Sequence, residues 1–164
     1  MIAIVRSIVL ATALVGLVAC QKEEAAPQVA APVELKAPAD GNSQAWKLYL
    51  SNVVKQNMEG IRNSPYMYYL PTSEDADFDG QYERQLTNVS DTVARGVLPG
   101  NMLAFGSPES ARMADLIEEA FQEAQAGSMA EVRVLFIGLP EDAERVRAVI
   151  EPTGAKFQFV DASQ

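Results

Sequence analysis

"MLAFGSPESARMADLI" (residues 102–117) and "VLFIGLPEDAERVRAVI" (residues 134–150) share one pattern, and that pattern decides the fold. Aligned on Leu103 and Leu135, each reads Leu, two apolar residues, Gly, a free position, Pro, Glu, a free position and Ala. Gly106 and Gly138 end the apolar runs, where a turn needs backbone freedom. Pro108 and Pro140 suit a first helical turn, where a missing N–H is tolerated. Glu109 and Glu141 would then lie near the positive end of a helix dipole. Ser107 makes a good N-cap and Leu139 does not. Each stretch therefore reads as strand, turn, helix.

Working outward, "YMYYL" (66–70) is an unbroken run of strand formers between Pro65 and Pro71. Its lack of alternation predicts a strand buried on both faces. A helix follows over about residues 81–95, with Tyr82, Leu86, Val89 and Val93 at spacings of four, three and four. Upstream, Trp46, Leu50, Val53, Met58 and Ile61 give an apolar face to a helix over about 44–61, with Ser43 as its N-cap. At the other end, "KFQFV" (156–160) alternates Phe157 and Phe159 with Lys156 and Gln158, as an edge strand does. The order is helix, strand–helix three times, then strand. It predicts one α/β domain over residues 43–164 with a mostly parallel four-stranded sheet and right-handed crossovers. The expected form is a small three-layer, Rossmann- or flavodoxin-like sandwich with an extra N-terminal helix, or a two-layer arrangement. Spacing alone leaves the strand order open.

In such sheets ligands bind at the carboxyl ends of the strands. The longest loop expected there carries "SEDADFDGQY" (73–82), with Asp75, Asp77 and Asp79 at alternate positions before Gly80. These match the first half of an EF-hand calcium loop, but position 12 is Leu86, where the bidentate Glu belongs. Two readings follow: a weak calcium site, or a solvated acidic loop favouring the start of the next helix. Neither a GxGxxG nor a GxxxxGK[ST] motif is present, and Pro and Glu stand where phosphate would sit, so no nucleotide cofactor is expected. Tyr66, Tyr68, Tyr69 and Tyr82 suit a carbohydrate- or peptide-binding surface, yet most of the group falls on an expected central strand, which favours core packing.

The chain starts "MIAIVRSIVLATALVGLVAC", one Arg followed by an apolar run too short to cross a bilayer, which needs about twenty residues as a helix. It suits a secretory signal over residues 1–19. Leu17, Val18, Ala19 and Cys20 resemble the lipobox of bacterial lipoproteins. The resemblance implies cleavage between Ala19 and Cys20, diacylglyceryl and further acyl (palmitate-type) modification of Cys20, and a membrane anchor. Gln21 rather than Asp after the Cys implies the outer membrane, facing the periplasm. Residues 20–42, rich in Ala, Pro, Glu and Lys, read as a lipidated Cys and a semi-rigid tether.

The tether leaves a domain of about 120 residues, enough for one core. A net charge of −9 without a basic cluster opposes nucleic acid and anionic headgroups. The chain has no His, and its one Cys is the expected lipid site. Ser–His and Cys–His nucleophiles and zinc sites on imidazole or thiolate are thereby excluded. The expectation is a non-enzymatic envelope domain acting through protein partners, with a small-ligand or cation-binding lipoprotein as the alternative.

Overall fold

The computed structural model describes residues 36–163. The signal segment, Ala19, Cys20 and most of the tether lie outside the described residues. Helix α1 (Ser43–Gln56) leads into strand β1 (Tyr66–Tyr69). Then follow α2 (Phe78–Arg95), β2 (Met102–Gly106), α3 (Ser110–Phe121), β3 (Arg133–Gly138), α4 (Pro140–Ile150) and β4 (Lys156–Asp161), with a 3-10 turn at Glu151–Thr153. The fold is α/β, and the sheet is entirely parallel in the order β1-β2-β3-β4. Tyr66 pairs with Leu103, Leu103 with Val134 and Val134 with Phe157, so one register runs across all four strands.

Each crossover moves one strand further in the same direction, and crossovers of one hand then put α2, α3 and α4 on one face. α2 packs on α3, and α3 on α4. Strand side chains alternate between faces. Leu103, Phe105, Val134 and Phe136 join the core under these three helices. Met102, Ala104, Leu135 and Ile137 face the other way and meet Trp46, Tyr49, Leu50, Val53 and Val54 of α1. Among the described residues the result is three layers, with three helices on one face and a single helix on the other. Because the strand order never reverses, the sheet lacks the switch-point crevice of a doubly wound fold.

Several local expectations are corrected. β1 is an edge strand, with Tyr66 46% and Met67 44% exposed, not a strand buried on both faces. An apolar run reports strand propensity, whereas centre or edge is set by the crossovers. α1 stops at Gln56 because side chains take over the backbone groups beyond it. Asn57 donates through Nδ2 to the Val53 carbonyl at 2.8 Å, and the Arg133 guanidinium donates to the carbonyls of Asn57 and Glu59. Met58 and Ile61 still pack on the α1-side core from outside the helix. The N-cap is Asn42, whose side chain accepts from the Ala45 N–H at 2.9 Å; Ser43 instead meets the Tyr69 hydroxyl at 3.1 Å. The domain also begins before residue 43. Ala37 packs on the α1-side core, and the Asp40 carbonyl accepts from Trp46 Nε1 at 3.0 Å.

Candidate functional site

The carboxyl end of the sheet is where the sequence pointed, and its polar groups are mostly committed to one another. Ser107, at the end of β2, donates to the Leu70 carbonyl at 3.0 Å and accepts from the Glu109 N–H at 2.9 Å. Glu109 does not act as a helix-end anion for a ligand; its Oε1 accepts from both the N–H and the hydroxyl of Ser73 at 2.8 Å. One strand further on, the Ser110 hydroxyl donates to Asp142 at 2.6 Å and accepts from the Leu139 N–H at 2.8 Å. Asp142 is buried, and its other oxygen accepts from Arg145 at 3.0 and 3.1 Å. Arg145 also reaches Asp115 at 2.8 Å and Glu118 at 2.6 Å, tying α3 to α4. Burial alone would lower the pKa of Arg145, but the hydrogen bonds it donates to Asp115, Asp142 and Glu118 outweigh it and hold the group above its ordinary value.

The two repeated turns therefore differ in detail. Pro140 is the first residue of α4, as the pattern predicts, whereas α3 begins only at Ser110, two residues after Pro108. Gly106 and Gly138 do end strands, but neither takes a positive φ. What they supply is space. A Cβ on Gly106 would lie 2.3 Å from Leu50 Cδ2, and one on Gly138 would lie 2.6 Å from both Phe136 Cζ and Ser110 Oγ.

The acidic loop is shorter than its sequence suggests, because α2 starts at Phe78 and takes Asp79 and Gly80 into its first turn. Asp75 Oδ1 accepts from the Asp77 N–H at 2.9 Å and from Gln81 Nε2 at 3.2 Å. Asp77 pairs with Arg84 at 2.6 Å in the open. Asp75, Asp77 and Asp79 are thus not gathered round a point, and no group of three His, Cys, Asp or Glu able to hold an ion occurs among the described residues. Position 12 of the calcium pattern, Leu86, packs against the core, as its place on the apolar face implied.

The tyrosines divide. Tyr68 is buried, stacks on Phe105 at 4.9 Å and meets Thr92 through its hydroxyl at 3.1 Å. Tyr82 is buried and lies under the Arg112 guanidinium at 4.7 Å. Burial raises the pKa of both above the ordinary phenol value. Tyr66 and Tyr69 are not core residues: Tyr66 is exposed on the edge, and Tyr69 is half-buried beside α1.

The sequence reading missed one feature. Four strands about 4.8 Å apart make a face wider than one helix of about 10 Å can cover. α1 lies over β2 and β3, and beside β1 a cavity of about 300 Å³ is left open. Ala104 and Gly106 form its floor, Leu50 and Val54 of α1 one wall, and Met67 and Tyr69 of β1 the other. Lys47, Ser51, Gln81 and Gln85 stand round it. The signals for it were present as Ala104 and Gly106, small residues in strand β2, but their meaning depended on where α1 would sit. Among the described residues, no helix is long and apolar enough to cross a membrane. Comparison with protein-family models, with curated proteins and with solved structures found no match to this chain.

Proposed function

We propose that this chain is a lipid-anchored protein of the bacterial envelope, held in the outer membrane through Cys20, whose domain works by engaging a partner protein without catalysing a reaction. The observation that carries the reading is the edge of β1, which no strand among the described residues pairs. Tyr66 and Met67 are exposed there, and the strand contains no charge to discourage pairing. An unpaired parallel edge offers backbone donors and acceptors to an added extended segment, with alternate side chains giving selectivity. Leu48 on the outer side of α1 adds a further exposed apolar residue, at 64% exposure. The closure of the strand-end loops by Ser107, Glu109, Ser110 and Asp142 supports the same reading, since the usual small-ligand position is occupied by the protein's own hydrogen bonds.

Two experiments test it. A photo-crosslinking residue at position 67, in cells, should give one adduct of defined mass that a residue at position 144 on α4 does not give. Tyr66→Lys, which charges the edge beside the crosslinker, should abolish that adduct while the domain stays folded. Equal yield at both positions, or an adduct insensitive to the charged edge, would refute partner binding at β1. For the anchor, Cys20→Ser should release the protein from the membrane fraction, and retention would refute it.

A further inference from the structure

We infer that the cavity between α1 and β1 is a binding site for a small amphipathic monocarboxylate, a free acid with an apolar body of about eight carbons. The site shares Met67 with the β1 edge but does not depend on a partner binding there. Its size sets the length of the ligand. A volume of about 300 Å³ holds about ten groups of water size, each taking about 30 Å³ of liquid volume. It also falls at the small end of the range of about 300–1,000 Å³ for ligand pockets. Its composition sets the polarity. The deep part is made by Leu50, Val54, Ala104, Gly106 and Ile137, which offer an acyl or phenyl body no charge to desolvate. Gly106 and Ala104 are what keep it open: a Cβ at Gly106 would already crowd Leu50.

Charge sets the head group. Among the described residues, Lys47 is the single charged one round a cavity whose other polar side chains are Ser51, Gln81, Gln85 and the two tyrosines. Its ammonium rests over the Tyr69 ring at 5.2 Å, and no carboxylate pairs with it among the described residues. In a chain of net charge −9, a cation left over an aromatic ring at the mouth of an apolar cavity is complementary to one carboxylate. Asp75, the acid whose field reaches Tyr69, accepts hydrogen bonds from the Asp77 N–H and Gln81. The Gln85 amide and the second N–H of the Gln81 amide add neutral donors round the same cavity, while the Ser51 hydroxyl is already spent on the Lys47 carbonyl at 2.8 Å.

The test is calorimetric titration of the full chain with octanoate below its micellar range, with octan-1-ol and octylammonium as neutral and cationic matches. Octanoate should bind saturably at one site, at least tenfold more tightly than octan-1-ol, and octylammonium should not saturate. Lys47→Glu lies on the exposed side of α1, so it should keep the unliganded melting temperature and weaken octanoate at least tenfold. Ala104→Leu should abolish binding by filling the floor. Amide shifts on octanoate addition should cluster at residues 67–69 and 104–106. No saturable octanoate binding up to about 10 mM, equal affinity for the alcohol, or an unchanged affinity in Lys47→Glu would each overturn the inference. Loss of octanoate binding in Tyr66→Lys, on the opposite face of β1, would also count against it, because that change touches the partner edge and not the cavity.

Discussion

Gly138→Ala should be far more damaging than an alanine at an ordinary strand end. Gly138 has an unexceptional φ, so the added methyl causes no backbone strain. By narrowing the unfolded ensemble it would even stabilise by about 0.4–1 kcal/mol. The cost comes from space. The new Cβ would lie 2.6 Å from Phe136 Cζ, on a fully buried ring, and 2.6 Å from Ser110 Oγ. Overpacking of this kind costs about 1–3 kcal/mol. Moving Ser110 aside also loosens its 2.6 Å hydrogen bond to buried Asp142, and leaving a buried acceptor short of its donor costs about 1–3 kcal/mol. The net expectation is a loss of about 2–4 kcal/mol by urea denaturation with an unchanged m-value. A double-mutant cycle separates the two causes. Ser110→Ala alone should lose about 1–3 kcal/mol, but in that background Gly138→Ala meets only the Phe136 ring. The pair should therefore be less damaging than the sum by about 1 kcal/mol or more. Additivity within about 0.5 kcal/mol would show that the Ser110–Asp142 bond does not depend on the missing Cβ, and would refute the reasoning.

Arg145→Met should destabilise by about 1–2 kcal/mol, discounted for its 31% exposure, because it leaves Asp142 buried without both N–H donors to its Oδ1. Arg84→Ala breaks an equally short but open pair and should stay within about 0.5 kcal/mol, so equal losses in the two variants would contradict the latch between α3 and α4. Burial raises the pKa of Tyr49, Tyr68, Tyr69 and Tyr82, so the folded state holds phenol protons that the unfolded state gives up near pH 10. Stability from these groups is complete below about pH 10 and falls as pH rises through the folded values; a denaturation midpoint constant from about pH 9 to 12 would contradict it. Millimolar calcium should leave the melting temperature unchanged, since Asp77 is paired with Arg84 and Asp79 lies in α2; a rise that Asp75→Asn/Asp77→Asn abolishes would reverse that reading.

Much of the fold can be read from residues close together in the chain. The strand–turn–helix units around Gly106 and Gly138 follow from local propensity and helix-start chemistry, and three such units imply a parallel sheet. Phe157 and Phe159 alternate with Lys156 and Gln158, and β4 is indeed an edge. The closed strand ends were less legible. Ser107, Ser110 and Asp142 carry no distinctive spacing; Ser107 reaches Leu70 because β1 and β2 are neighbours, and Ser110 reaches Asp142 because β2 and β3 are. The acidic loop was ambiguous for the opposite reason: its alternate Asp residues match half of a calcium loop, and only the structure shows Asp75 serving the turn that starts α2.

What the sequence determined by itself was the set of elements and their parallel arrangement, because each depends on side-chain period or on a short contiguous motif. Tertiary structure alone decided that "YMYYL" lies on an edge, that Gly106 and Gly138 are needed for space and not for turning, and that a cavity opens beside β1. The physical reason is that strand order and the number of helices on each face are properties of the whole packing. One helix over four strands leaves apolar surface uncovered, whichever residues line it.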